Sequence, residues 1–144
     1  MDAFDSDVLI YAAIPGHSLG RRVKALFAST QPEALVGTGS LLLLPEVLFK
    51  PIRDGATEEK SDLDELLARL ELQPMGRATA DLATAAAAKY SLRAADALHL
   101  ASALEAGADR FITNNQRDFP KTIEEIDVVY PADLPDPDEE TDHG

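Results

Sequence analysis

Five short β-type segments, Val8–Ile14, Ala34–Val36, Leu70–Leu72, Arg110–Thr113 and Asp127–Tyr130, alternate along the chain with longer stretches whose apolar residues recur at helical spacing. This alternation restricts the fold more than any other feature. Strands separated by helices return to a sheet in parallel, because a parallel neighbour needs a crossover of helical length. The expectation is an α/β three-layer sandwich, with a central, mainly parallel sheet flanked by helices. Val8-Leu9-Ile10-Tyr11-Ala12-Ala13-Ile14 is continuously apolar and stops at Pro15-Gly16, and it reads as a central strand buried on both faces.

The intervening stretches supply the helices. Leu19, Val23, Leu26 and Phe27 recur at helical spacing, and Ser40 can cap a helix through Lys50 that is bent at Pro45 or begins there. In either case Glu46 is helical. A further helix starts at Thr57 or Ser61, with Leu63, Leu66, Leu67 and Leu70 on one stripe. Two alanine-rich helices follow, about Thr79 to Tyr90 and Arg93 to Ala106, with Gly107 as a stop.

Length and charge narrow the class. At 144 residues the chain forms one domain, and the absence of cysteine removes disulfides, thiolate metal sites and cysteine nucleophiles. Any metal must be held by oxygen or imidazole. Acids outnumber bases 26 to 13, for a net charge of −13, so broad nonspecific binding of nucleic acid is disfavoured. Six acids and no Lys or Arg lie in 133–144, which reads as an acidic, disordered tail after a folded domain of residues 1–132. The body is poor in Lys and rich in Asp, a bias that salt-adapted proteins share. There is no basic leader and no apolar stretch of bilayer length, so the expectation is a cytoplasmic protein with no membrane partner.

Open α/β sheets build their sites beyond the carboxyl ends of the strands, so the polar residues there are the candidates. Asp5 and Asp7 flank Ser6 beside the first apolar run. Glu46 stands inside the apolar stretch Leu41 to Phe49, where a carboxylate must be paired, protonated or metal-bound. Asp96 opens an otherwise apolar helix, a position that dipole stabilisation alone would explain. Thr113-Asn114-Asn115-Gln116-Arg117-Asp118 leaves the fourth strand as a polar run before Phe119.

Taken in this order, Phe4-Asp5-Ser6-Asp7-Val8-Leu9-Ile10-Tyr11, Leu44-Pro45-Glu46-Val47-Leu48, Arg93 through Asp96-Ala97-Leu98-His99-Leu100-Ala101 to Asp109, and Thr113-Asn114-Asn115 with Asp118-Phe119 resemble the PIN-domain proteins. The single-domain VapC-type ribonuclease toxins are the most similar members. The resemblance spans roughly residues 3 to 130 and implies a PIN-like fold. It also implies a metal-dependent endoribonuclease that leaves a 3′-hydroxyl and a 5′-phosphate. Asp5, Glu46 and Asp96 match the family's first three acids and so are the expected holders of Mg²⁺ or Mn²⁺. Asp118 is a further catalytic candidate, acting through water that Asn115 orients. Ser6, Asp7 and Thr113 are supporting residues. Two positions depart from the family pattern, in which a neutral residue is common at Asp7 and an acid at Asn115.

Hard oxygen donors suit Mg²⁺, which accepts a few carboxylates and keeps several waters. His99, one helical turn from Asp96, is read as a partly buried structural histidine rather than a catalytic group. The implied partners are an RNA substrate, a small antitoxin that presents a basic segment to the acidic site, and a second copy of the chain. Two other readings compete. One is a PIN module with an impaired site that binds RNA or a protein. The other is a haloacid-dehalogenase-like phosphatase built on Asp5-x-Asp7, against which Leu9 stands where that motif prefers Thr or Val.

Overall fold

The computed structural model describes residues 1–139. Strands β1 (Asp2–Phe4), β2 (Gly37–Ser40), β3 (Leu70–Gln73), β4 (Arg110–Ile112) and β5 (Asp127–Val129) pair in parallel, in the order β3-β2-β1-β4-β5. They are linked by α1 (Ser6–Ala13), α2 (Ser18–Ala28), α3 (Leu43–Asp54), α4 (Thr57–Leu67), α5 (Arg77–Tyr90) and α6 (Ala94–Glu105), and a short 3-10 turn spans Pro131–Asp133. This is the expected α/β sandwich. Successive strand residues point to opposite faces, and each face has its own core. Phe4, Ile112 and Val129 pack with α1 to α4, whereas Ala3, Phe111 and Val128 pack with α5 and α6.

The apolar run Val8–Ile14 is not a strand, which corrects the reading of the sequence. It is most of α1, and the central strand is the shorter Asp2–Phe4 just before it. Asp5 stops the strand. Its backbone is extended (φ −83°, ψ 163°), and its side chain accepts a hydrogen bond from Ser6 N, so the helix starts there. A helix buried over much of its surface produces the same unbroken apolar run as a buried strand.

The second strand is also displaced, from Ala34–Val36 to Gly37-Thr38-Gly39-Ser40. The glycines there answer to packing. A Cβ on Gly37 would lie 2.1 Å from the carbonyl oxygen of Asp2 on the neighbouring strand. Gly20 plays the same part between helices, since its Cβ would meet the Tyr11 carbonyl oxygen at 2.0 Å where α2 crosses α1. In α3 the proline of the first turn, Pro45, lacks only an amide that the helix start leaves unpaired, and Glu46 is helical.

The packed body continues to Leu134, which is buried, and Arg22 donates hydrogen bonds to the carbonyl oxygens of Ala132 and Leu134. Beyond it Asp136 pairs with Arg22 and Asp138 with Arg21. Residues 140–144 of the acidic tail lie outside the described residues. No helix among the described residues is long and apolar enough to cross a membrane.

Candidate active site

The chain leaves β1 toward β2 and β3 on one side, and β4 and β5 join β1 on the other. The connections therefore diverge at the carboxyl ends of β1 and β4, where open parallel sheets place their sites. Asp5 stands directly at that point. Its amide donates to the Ile112 carbonyl at 2.9 Å, Oδ1 accepts from Ser6 N at 2.8 Å, and Oδ2 accepts from Thr113 Oγ1 at 2.8 Å. Asp5 is only 4% exposed, and burial holds its carboxyl above the usual carboxylate pKa, against the opposing pull of His99 and its hydrogen bonds.

Asp7 lies in the first turn of α1. Its Oδ2 accepts from Asn114 N at 3.0 Å, while Oδ1 is buried without a hydrogen-bond partner among the described residues. Burial and the neighbouring Asp5 charge push its pKa up to about 7. The Asn114 side chain donates from Nδ2 to the Tyr11 hydroxyl at 3.5 Å, which extends the contact between α1 and the loop after β4.

Within that loop, Asn115 N donates to Thr113 Oγ1 at 3.1 Å. The Asn115 side chain and Asp118 are reciprocally bonded, Nδ2 to Asp118 Oδ2 at 2.9 Å and Asp118 N to Asn115 Oδ1 at 3.3 Å. The loop is thus a closed turn anchored by buried Phe119, whose ring packs edge-on to Phe111.

Asp96 projects from the first turn of α6. Burial raises its pKa, and the charges of Asp5, Asp118 and Glu46 add to the rise. Like charges from β1, α3, α6 and the loop after β4 therefore face one another across the sheet edge.

Glu46 makes the contact that sequence reasoning missed. His99 is 3% exposed, and its Nε2 is hydrogen-bonded to Glu46 Oε1. That bond is the largest cause of a lowered Glu46 pKa, and the Ser6 hydroxyl adds to it. Burial opposes charging of His99, but the Glu46 bond and the charges of Asp5, Glu46 and Asp96 together hold its pKa above the ordinary value. The available signal was the three-residue spacing from Asp96, which puts both side chains on one face of α6.

The donor chemistry suits a hard divalent cation, with carboxylates from separate elements, mutual repulsion that a cation would relieve, and a buried unpartnered oxygen on Asp7. Among the described residues, however, no group of three or more Asp, Glu or His side chains is already arranged to hold an ion. The acids lie at an open edge. Neither a 390 Å³ pocket between the end of α1, α2 and α4 nor a 470 Å³ pocket against α3 is lined by any of them.

Comparison with known proteins gives a family-model match over residues 3–125, to the PIN domain. Solved structures resemble at least nine-tenths of the chain. A toxin-antitoxin complex from Klebsiella pneumoniae is 24% identical, with a TM-score of 0.68 over 91% of this chain and 98% of that one. VapBC2 from Rickettsia felis, bound to a DNA fragment from its promoter, is 18% identical, with a TM-score of 0.66 over 90% and 97%. FitAB bound to an IR36 DNA fragment is also 18% identical at 0.66, over 94% and 98%. No curated protein matches the chain.

Proposed function

The chain belongs to the PIN-domain family, and from that premise we propose that it is a Mg²⁺- or Mn²⁺-dependent endoribonuclease, the toxin of a toxin-antitoxin pair. The observation that carries this reading is the convergence of Asp5, Glu46 and Asp96, from three separate elements, at the carboxyl ends of β1 and β4. These three would hold the metal. When bound, the ion would supply an acidified water and positive charge that offsets the negative charge building at the phosphorus and on the departing 3′-oxygen.

The protein's own part is positional. Ser6 N and Thr113 Oγ1 each occupy one oxygen of Asp5 and so fix its carboxylate plane. Thr113 is itself tied to the Asn115 amide, so the loop after β4 keeps register with β1. Asn115 and Asp118 hold each other, and Asp118 sets negative charge opposite Asp96. Cleavage leaves a 3′-hydroxyl and a 5′-phosphate.

The toxin-antitoxin assemblies among the similar structures support an antitoxin partner for this chain. An acidic edge of this kind favours an Arg or Lys from that partner, through charge-assisted hydrogen bonds. A second copy of the chain and a cytoplasmic location complete the proposal. One observation favours a second reading, an impaired module that binds RNA without cutting it: no ion-holding group is preset among the described residues. The phosphatase reading has no comparable support.

RNA cleavage by the purified chain decides between the two. Activity with Mn²⁺ that EDTA abolishes and Asp96→Asn removes is expected. RNA binding without cleavage at any metal concentration would favour the impaired module.

A further inference from the structure

α3 packs in the core on one face of the sheet and α6 in the core on the other. The hydrogen bond between His99 and Glu46 joins these two layers across the edge where the acids meet. Glu46 is in the first turn of α3, and its side chain is still one-third exposed. A free glutamate there has three rotatable bonds and considerable rotamer entropy. His99 does not share that freedom, because it sits in the buried face of α6 beside Leu100, Ala101 and Ser102.

The histidine itself needs an explanation. Its Nδ1 is buried and has no hydrogen-bond partner among the described residues, so the ring bears the cost of an unsatisfied polar atom. An apolar side chain of similar size would fill the position without that cost. What it could not do is donate to a carboxylate. Glu46 is an acceptor when ionised, so the proton in the bond belongs to Nε2.

We propose that His99 is a positioning residue, whose Nε2–H holds Glu46 Oε1 and so keeps the α3 carboxylate beside Asp5 and Asp96, with its second oxygen left for the cation. The proposal rests on the metal-dependent reading above. Carboxylates that bind metals are generally held by such a second hydrogen bond, and its loss costs 10- to 100-fold in metal affinity or activity. One helix then supplies both a metal-holding acid, Asp96, and the group that restrains another.

Mn²⁺ binding to the full-length chain, read from the electron-paramagnetic-resonance signal of the free ion, tests this without relying on turnover. His99→Leu should weaken Mn²⁺ binding about 10- to 100-fold while the circular-dichroism spectrum is kept. His99→Gln, which retains an N–H donor, should recover most of it. Adding His99→Leu to Glu46→Gln should cost little more than Glu46→Gln alone, because His99 acts only through the Glu46 carboxylate. Unchanged affinity in His99→Leu, or full additivity in the double variant, overturns the proposal.

A wild-type chain that binds no Mn²⁺ overturns the metal reading and this proposal with it, whereas binding lost in Asp5→Asn but untouched in His99→Leu overturns this proposal alone. A measurement on the wild type covers the case in which His99→Leu does not fold. The Nε2 proton should stay protected from exchange, and visible by NMR, when Mg²⁺ is added. Its disappearance on Mg²⁺ binding would mean that Glu46 leaves His99 to reach the ion, which also overturns the proposal.

Discussion

At the scale of single residues, the site is a set of like charges facing one another, and pH should expose their repulsion. Asp7 has its pKa pushed up to about 7, against 3.8 for the unperturbed group, chiefly by burial. The folded protein therefore binds more protons than the unfolded chain between these values, and its stability falls as pH rises through that window. His99 acts in the same direction, since a raised histidine pKa gives stability that is present below 6.5 and lost as pH climbs through the folded value. Glu46 opposes only in acid, where its lowered pKa gives stability that is lost as pH falls. Denaturant melts in EDTA should show greater stability at pH 5.5 than at pH 8, and Asp7→Asn should stabilise the metal-free protein at pH 8 by on the order of 1 kcal/mol. Mn²⁺ should flatten the pH slope, because it binds the deprotonated acids; a slope unchanged by Mn²⁺ would separate the strained acids from any metal. For cleavage, Asp96→Asn should abolish activity, and Asp118→Asn should lower it roughly 10- to 100-fold, as expected of a group acting through others. Glu46 and Asp96 were legible as candidates because each is a lone acid in an apolar stretch, and Asp5 because it stands with Asp7 beside the first apolar run. The role of His99 was not, because the contact that defines it joins residues 53 positions apart.

At the scale of elements, the pattern revealed that strands and helices alternate but mistook what the first apolar run is. Periodicity carries no information when every position is apolar, and Asp5 followed by Ser6, a helix-start signal, was the only local sign that α1 begins there. The third, fourth and fifth strands lie where the pattern placed them, each being bounded by polar or turn residues. β2 could not be read from hydropathy, because Gly-Thr-Gly-Ser is chosen for thinness against β1 rather than for apolar character. Gly37→Ala should accordingly destabilise the protein by about 3 kcal/mol, at the upper end of ordinary overpacking, because the obstacle is the Asp2 backbone rather than a mobile side chain. Thermal melts that show no loss would mean β1 and β2 can separate freely. α3 leaves Leu44, Phe49 and Ile52 exposed along one side, at 36%, 62% and 57%. A second copy covering that stripe would account for it, so Phe49→Glu with Ile52→Glu should convert a dimer to a monomer by light scattering. A mass that stays dimeric would place the contact elsewhere.

At the scale of the whole molecule, the charge of −13 works against compactness, and the tail contributes to it unevenly. Asp136 and Asp138 reach Arg22 and Arg21, so part of the terminal acidity is neutralised on α2. The remaining self-repulsion should be screened by salt, and melting temperature should rise into the molar KCl range. Maximal stability at low salt would refute salt adaptation and leave the nuclease reading untouched. One feature of the fold also bears on how such a chain can change over generations. Asp5 both caps α1 and faces the other acids of the site, whereas Asp96 lies inside the first turn of α6, whose N-cap residue is Arg93. Replacing Asp5 by an apolar residue removes the cap, worth about 1 kcal/mol, together with the Thr113 contact. Replacing Asp96 relieves like-charge repulsion instead. If the chain is the toxin proposed above, a lineage that escapes it by mutation should therefore discard Asp96 early and keep Asp5 long after cleavage has been lost. Spontaneous survivors of forced expression, once sequenced, should carry folded Asp96 variants more often than folded Asp5 variants.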